Sequence, residues 1–344
     1  MTTPAQAGPT TSEPPTGGRR PAERGWFRLL VALAAFLLLP AVPQFKALLP
    51  VQHTMILLVP ALAACSLVGW WAGGRLLLAA LWVGLAVWIA ARAPEAPNVY
   101  YNLARGWSLL LGGAFGLVCL FGARRPFFPR ALTALTVAFA LGFGISGFGR
   151  VGGAQIREAI SSEFGRRNEE SMRSMREILT TSSGQWENVL TPVEMEEQLQ
   201  TLSNAGLQVF PALLALESLA ALALAWAAYH RLGRTRLGAP LAPFKEFRFN
   251  DQLVWGLIVG LTILFLPTLA SFRGVGGNLL VFFGALYALR GLGVLAWFLA
   301  PGALATALAV GAAMLLWPIL LVAALGLGLG DTWADWRRRP RPTT

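Results

Sequence analysis

Few side chains in this sequence are placed to do chemistry, and three of them lie inside long apolar stretches. Glu217 falls in "PALLALESLAALALAW", Arg290 falls in "FFGALYALRGLGVLAWFL", and Asn278 begins the stretch that contains Arg290. An ionisable residue at the centre of a bilayer costs roughly 2.5–3.5 kcal/mol on insertion scales, and it usually marks a pathway or a pair. We therefore predict that Glu217, Arg290 and Asn278 form a ligand-binding site.

The opposite charges of Glu217 and Arg290 favour placing them together. Each lies near the middle of its apolar stretch, so each is expected at mid-depth whichever way its helix runs. We predict that both face the interior of a helix bundle, where they pair directly or share a water-filled cavity, with Asn278 nearer one mouth. The alternative is an ion pair that only locks two helices together and leaves no charge for a ligand.

The composition indicates that these residues are surrounded by lipid and not by water. The chain of 344 residues is 55% hydrophobic and 13% charged, with a mean hydropathy of +0.57, whereas soluble domains carry about 25% charged residues. Its apolar residues form solid blocks, each long enough to cross a hydrocarbon core of roughly 30 Å as a helix. The blocks are 26–43, 53–72, 76–92, 107–122, 130–149, 207–229, 253–271, 277–299 and 303–328. They predict an all-α integral membrane protein with a bundle of eight to nine transmembrane helices.

The blocks divide the chain into five regions. A polar, Pro- and Thr-rich N-terminal tail lacks apolar periodicity and is expected to be disordered. A five-helix membrane half, an amphipathic loop, a four-helix membrane half and a basic C-terminal tail follow it. The five regions are 1–25, 26–149, 150–205, 206–329 and 330–344.

The polar loop 150–205 is predicted to form an extramembrane hairpin of two amphipathic helices. It contains six Arg and nine Glu. In its second helix, Thr191, Pro192 and Glu194 form a capping box. The hairpin is expected to lie on the membrane surface or, alternatively, to act as a lid over an external site. One face of the first helix collects Ile156, Ile160, Phe164, Met172, Met175 and Ile178.

The net charge of +11 comes from basic clusters beside the apolar blocks, which is typical of cytoplasmic loops and not of a nucleic-acid surface. We expect a multipass inner-membrane protein with a cytoplasmic N-terminus and the 150–205 loop outside. Three blocks separate the cluster at 231–248 from the basic C-terminus, so a full set of crossings would put that terminus outside. Either block 253–271 does not fully cross or the C-terminal tail breaks the rule.

Two further patterns predict contacts with surrounding molecules. Small residues recur every fourth position in the second block, at Ala61, Cys65, Gly69 and Gly73, and such a face lets helices approach closely, within the chain or with a membrane protein partner. Aromatic and charged residues near block ends favour interfacial anchoring in the lipid bilayer. The predicted anchors are Phe247, Trp255, Asp331, Trp333, Trp336 and Arg337.

Enzyme chemistry is not indicated. The "GFGISG" of 142–147 matches a dinucleotide fingerprint in letters, but it lies in an apolar helix and lacks the βαβ unit that the fingerprint needs. Cys65 and Cys119 both lie in apolar blocks, without the spacing of a disulfide framework or metal site. We expect no catalytic residues, no metal and no cofactor.

Four stretches of the last third of the chain follow one another in a recognisable order: "FPALLALESLAALALAWAAYHRLGR" (210–234), "FKEFRFNDQLVWGLI" (244–258), "GNLLVFFGALYALRGLGVLAWFL" (277–299) and "LGLGDTWADWRRR" (327–339). In this order they resemble the YybS-like family of uncharacterised bacterial membrane proteins. Where that family is expected to have Gln before Gly291, this chain has Arg290. The hydropathy of the family is similar to that of the S components of energy-coupling-factor vitamin transporters, although the first block here lacks their Ala-x-x-x-Ala docking motif.

Two functions therefore stay open. The first is a membrane-embedded binding or transport component for a small solute. The second is a non-transporting scaffold or assembly factor that docks a partner through small-residue helix faces. They differ in whether polar groups converge inside the membrane, because a solute site needs several such groups and a scaffold needs none.

Overall fold

The computed structural model describes residues 25–92, 99–122, 125–148, 152–181, 192–299 and 317–338. Every regular element in these ranges is an α-helix or a 3-10 turn, and none is a strand. The all-helical fold predicted from the composition is thus confirmed for the described part of the chain. The disordered tail predicted for 1–25 lies, apart from Gly25, outside the described residues.

Eight helices of the described chain precede the span Phe210–Leu232. They are α1 (Trp26–Leu38), α2 (Pro43–Leu48), α3 (Met55–Trp71), α4 (Leu76–Ala91), α5 (Val99–Phe121), α6 (Phe127–Phe148), α7 (Gly153–Thr181) and α8 (Pro192–Gln208). The two helices predicted between 150 and 205 are present as α7 and α8, and the described part of α8 begins at Pro192. Thr191 itself lies outside the described residues.

Four helices form the rest of the described chain: α9 (Phe210–Leu232), α10 (Val254–Phe265), α11 (Arg273–Leu299) and α12 (Trp317–Ala334). A 3-10 segment, Pro267–Phe272, joins α10 to α11 because Pro267 cannot continue the helical hydrogen bonds. The polar loop between α9 and α10 folds back onto the bundle, where Leu237 and Phe249 are buried.

Four helices among the described residues are long and apolar enough to cross a membrane: Val99–Phe121, Phe127–Gly147, Phe210–Leu232 and Pro267–Phe298. Five shorter apolar helices accompany them: Trp26–Ala41, Met55–Trp71, Leu76–Ala91, Asp251–Phe265 and Ile319–Ala334. The chain is therefore a helical membrane protein with at least four such segments. The count of eight to nine crossings stays a prediction.

Helix α9 is the centre of the packing and defines two ends of the bundle. Near its start, the ring of Phe210 contacts the rings of Tyr100 and Phe164. Near its other end, Trp226 is fully buried against Phe115 and Phe127. Helices α7 and α8 lie at the first end, which we call the α7 end.

The opposite end collects basic segments, and we call it the basic end. The Arg130 Nη1 donates to the carbonyl of Leu237 at 2.9 Å, which joins the start of α6 to the loop after α9. The Arg337 Nη1 donates to the carbonyls of Lys245 and Phe247, both at 3.1 Å. The C-terminal cluster therefore lies beside the 231–248 cluster, which is the arrangement expected if block 253–271 does not fully cross. Which side of the membrane each end faces stays a prediction.

The small-residue face of α3 is used inside the chain. Ala61, Cys65 and Gly69 are buried, and a Cβ on Gly69 would collide with the Tyr229 hydroxyl of α9. Gly73 ends the face with a φ of +88° in open space, a conformation that glycine adopts without strain. Of the two uses predicted for this face, the structure shows the intrachain one, so these three residues are not available to a partner.

Candidate functional site

Glu217 lies buried in α9, and its carboxylate meets the chain between α2 and α3. The Glu217 Oε2 accepts a hydrogen bond of 2.9 Å from the backbone N–H of Val51. The other oxygen, Oε1, is buried and accepts no hydrogen bond from any described residue. The side chain is 5% exposed. An unsatisfied buried carboxylate oxygen is costly, and no described residue supplies the donor that Oε1 lacks.

Arg167 of α7 also contacts the chain between α2 and α3. Its Nη1 and Nη2 donate to the carbonyls of Leu49 and Pro50 at 2.7 and 3.3 Å, and its Nε donates to Glu163 at 2.9 Å. The guanidinium also lies 5.0 Å from the ring of Tyr100. Arg167 is 2% exposed, so a buried cation fixes the backbone that presents the Val51 N–H to Glu217.

A surface ion-pair network fastens α7 in this position. Lys46 of α2 donates to Glu170 at 2.9 Å, and Arg166 donates to both Glu163 and Glu170. The hydrogen bond from Lys46, followed by the nearby charge of Arg166, holds the pKa of Glu170 below its usual range. The Glu163 carboxylate raises the pKa of Arg166. These groups therefore stay charged and paired at neutral pH.

We call the chain between α2 and α3, residues 49–54, the Val51 segment. Two cavities adjoin it. The larger, about 580 Å³, is mostly apolar and lies between α5, α6, α7 and α9. Val51 and Leu214, which lies one helical turn before Glu217, both line it. Ile156 and Ile160 of α7 line one side of it, and the lid role of the hairpin stays a prediction. The smaller cavity, about 70 Å³, is lined by polar groups of Gln52, His53, Glu163, Arg166 and Arg167.

Buried polar atoms of this region have unused hydrogen-bonding capacity. Gln52 Nε2, of a residue that lines the smaller cavity, and Ser171 Oγ of α7, of a residue that lines neither cavity, have no partner among the described residues. A volume of 70 Å³ exceeds the roughly 10–15 Å³ that one water needs. The site can therefore hold water or the polar group of a ligand. The described residues contain no group of three or more His, Cys, Asp or Glu placed to hold a metal ion.

Arg290 does not pair with Glu217, which corrects the predicted pairing. Its Nε donates to Asp331 Oδ2 at 2.9 Å and its Nη1 donates to Asp251 Oδ1 at 2.6 Å. Asp251 lies directly before α10 and Asp331 lies near the end of α12. Arg290 therefore lies level with the loop before α10 and not beside Val51. Its position in the middle of one apolar block does not fix its depth, because the neighbouring helices α10 and α12 start and end at this level.

Two predicted anchors belong to this cluster as well. Asp331 is 1% exposed and accepts from Arg337 Nη2 at 2.6 Å. Asp331 and Arg337 are therefore buried ion-pair partners, which corrects their interpretation as interfacial anchors. We call Arg290, Asp251, Asp331 and Arg337 the C-terminal staple. The Phe247 ring packs on Phe128 inside the bundle, and Trp336 lies against Gly330. Trp255 and Trp333 are exposed, and their anchoring role stays a prediction.

Asn278 links helices at the α7 end. Its Nδ2 donates to the carbonyls of Gln208 and Gly274, and its Oδ1 accepts from the N–H of Ala212. These three bonds hold the start of α11 against the start of α9, and they use both the donor and the acceptor of the Asn278 side chain. The three predicted ligand residues therefore lie in three different environments.

Sequence reasoning missed the parts of the site that lie outside the apolar blocks. Arg167, Tyr100 and the Val51 N–H all contribute, yet none stands out as a charge inside an apolar stretch. One signal was available for Arg167, because it follows Phe164 by three residues and so shares its helix face. A basic residue on the apolar face of a polar helix predicts a buried partner.

Comparison with known proteins places the chain in a family. No curated protein and no solved structure matches it. The family described as "Predicted membrane protein (DUF2232)" matches residues 32–332, from α1 to the end of α12. The matched range contains Glu217, Arg167 and most of the C-terminal staple. Because the match covers most of the 344 residues, the chain belongs to this family of predicted membrane proteins.

Proposed function

We propose that the chain is a membrane-embedded, non-catalytic binding or transport component for a small solute, and that α7 covers the binding site. The observation that carries the proposal is the buried Glu217 Oε1, which lacks a donor among the described residues, while Val51, the partner of the other oxygen, lines a cavity of about 580 Å³. Small-molecule sites are typically apolar cavities of this size with a few fixed polar groups. A role like that of the S components of energy-coupling-factor transporters fits this arrangement.

The site favours a solute with an apolar body and one hydrogen-bond donor. The aromatic residues Tyr100, Trp107 and Phe210 line the cavity and suit an apolar or ring-shaped body. An ammonium, hydroxyl or amide group can donate to Glu217 Oε1 and satisfy it. The Trp107 Nε1 already donates to Ser218 at 3.0 Å, so this indole is fixed in place before a solute arrives.

A binding screen tests the proposal. The chain, purified in a neutral detergent, is heated with a panel of water-soluble vitamins and organic amines while its unfolding midpoint is measured. A binder raises the midpoint of the natural chain and of Glu158→Gln, a matched control on the exposed side of α7. It fails to raise the midpoint of Glu217→Gln. Equal shifts in all three proteins, or no shift with any compound, would contradict the proposal.

Transport itself needs a second measurement. A compound that binds is radiolabelled and its accumulation is followed in cells that carry the natural chain or Glu217→Gln. Uptake that depends on Glu217 supports transport, whereas binding without uptake leaves a binding component that works with another protein. Co-purification in mild detergent then distinguishes the cases, because an ATPase partner supports energy-coupled uptake.

A scaffold that docks a partner is the second candidate. It is favoured by an apolar groove of about 930 Å³ between α3, α4 and α5. Small residues on its floor, including Ala64, Gly113 and Gly116, leave room for a partner's transmembrane helix. A Cβ on Gly113 would meet nothing within 4 Å, so Gly113→Leu should fill the groove without disturbing the fold. If the groove docks a partner, this variant should lose a co-purifying envelope-assembly protein.

A further inference from the structure

Arg130, at the basic end, is a buried cation that has no anionic partner among the described residues. It lies in the first turn of α6 and is 0% exposed. Its Nη1 donates to the carbonyl of Leu237 at 2.9 Å, and its guanidinium carbon lies 5.3 Å from the ring centre of Trp226. Its Nε and Nη2 have no hydrogen-bond partner among the described residues. Burying a charge without an opposite charge is expensive.

The two unused nitrogens form one side of the guanidinium. The N–H groups of Nε and Nη2 point in the same direction and match the two oxygens of a carboxylate or phosphate. This chain uses the same edge elsewhere. Arg166 donates Nε and Nη2 to Glu163 at 3.1 and 2.7 Å. Arg337 donates Nε and Nη2 to Asp331 at 3.4 and 2.6 Å.

The surroundings of this edge favour an anion. The Arg130 Nε lies 4.0 Å from where a Cβ on Gly122 would stand, and its Nη2 lies 3.2 Å from where one on Gly238 would stand, so two residues without side chains border the edge. The Cys119 thiol also lies beside the guanidinium, but it supplies no carboxylate. The edge also lies in the first turn of α6, whose unbonded N–H groups carry partial positive charge. The loop that supplies Leu237 contributes further positive charge from Arg234 and Arg236, which are exposed.

We propose that the Nε and Nη2 edge of Arg130 binds an oxyanion, the phosphate group of an acidic phospholipid or of a soluble phosphate compound. The phosphate oxygens take the two parallel N–H bonds, while Leu237 and Trp226 hold the rest of the guanidinium. This site lies at the opposite end of α9 from Glu217 and does not depend on solute binding there.

Thermal unfolding with defined anions tests the site. The purified chain is delipidated in a neutral detergent and heated with phosphatidylglycerol, with phosphatidylcholine or with inorganic phosphate. An anion that binds Arg130 raises the unfolding midpoint of the natural chain. The increase is lost in Arg130→Gln. In Arg130→Lys the apparent affinity falls about tenfold, because an ammonium keeps the charge but lacks the fork. Arg236→Gln, an exposed basic residue of the same end, keeps the full increase.

The outcomes separate the sources of the phosphate. An increase with phosphatidylglycerol alone identifies a lipid headgroup, and an increase with inorganic phosphate identifies a soluble anion. An equal increase with phosphatidylcholine and phosphatidylglycerol, or none with any of the three, overturns the proposal. An increase that persists in Arg130→Gln overturns it as well. If Arg130→Gln does not fold, two other results test the proposal: the response of the natural chain to the three additives, and a weaker apparent affinity in Arg130→Lys than in Arg236→Gln.

Discussion

Glu217 and Arg290 are both buried ionisable residues in apolar helices, yet their surroundings differ. In the C-terminal staple, Arg290 and Arg337 share Asp331, and Asp251 takes a further bond from Arg290. At the α7 end, Glu217 receives one backbone N–H and keeps one oxygen unbonded. The staple satisfies its own charges and leaves little for a ligand, whereas the α7 end leaves a hydrogen-bonding position open.

The comparison suggests how to separate structural from binding charges in a membrane protein. A charge whose partners are all within the chain stabilises the fold, and its loss should show in stability. A charge with an open position should contribute less to stability and more to binding. The following predictions test this division, from the largest expected effect to the smallest.

The largest effect is expected at Asp331. Asp331→Asn leaves two buried guanidinium groups without their shared carboxylate, which should destabilise the protein by about 3–5 kcal/mol. Arg290→Gln should have an effect of the same order. The double change should cost less than the sum of the two, measured by denaturant unfolding in detergent. Additive losses would show that Arg290 and Asp331 do not act as a pair.

A second effect concerns the close contact of the helices that carry the staple. A Cβ on Gly328 of α12 would collide with the carbonyl of Tyr287 of α11. Gly328→Ala should therefore separate the helices and cost about 1–3 kcal/mol. Gly326→Ala is the matched control, because a Cβ there meets nothing within 4 Å. Equal stability of the two variants would argue against the close crossing.

A smaller effect is expected at Glu217. In Glu217→Gln the amide oxygen can still accept from the Val51 N–H, so the loss of stability should stay near or below about 1 kcal/mol. Combined with Arg290→Gln, the effects should add within about 0.5 kcal/mol, because the two residues share no partner. A strong interaction between the two changes would restore the pairing that the sequence suggested.

The smallest effect should come from the surface network on α7. The pKa of Glu170 is lowered by Lys46 and Arg166, so its contribution is complete above the unfolded pKa of about 4.3. It is lost as the pH falls through the lower, folded pKa. Such an exposed pair contributes at most about 1 kcal/mol and is screened by salt. The protection of α7 amides against hydrogen exchange, relative to their intrinsic rate at each pH, should fall below pH 4 in the natural chain, and this fall should be smaller in Lys46→Met, which already lacks the pair.

Much of the fold could be predicted from the sequence, because apolar block length depends on bilayer thickness. The two amphipathic helices of 150–205 could also be predicted, because helical periodicity is a local property of the sequence. The partner of Arg290 was missed because depth was judged from block boundaries alone. The information was present, since Asp251 directly precedes one apolar block and Asp331 directly follows another. Acids at the ends of neighbouring helices are natural partners for a nearby arginine.

The α7 site was only half predictable. Glu217 stands out as a charge in an apolar block, but its donor is the backbone of Val51, and no side-chain pattern marks a backbone N–H. Arg167 reaches Leu49 and Pro50 from more than a hundred residues away along the chain. Such contacts depend on which helices α7 packs against, and the periodicity of apolar residues in the sequence does not determine this.

Labelling of carboxyl groups with a hydrophobic carbodiimide tests the central claim most directly. The reagent adds to carboxyl groups that take up a proton in apolar surroundings, and mass spectrometry of the digested protein locates the adduct. The account predicts an adduct on Glu217, whose unbonded Oε1 can take up that proton, and none on Asp331, which is paired with two guanidinium groups. Modification of Asp331 with Glu217 left unreacted would contradict the division between an open site and a closed staple.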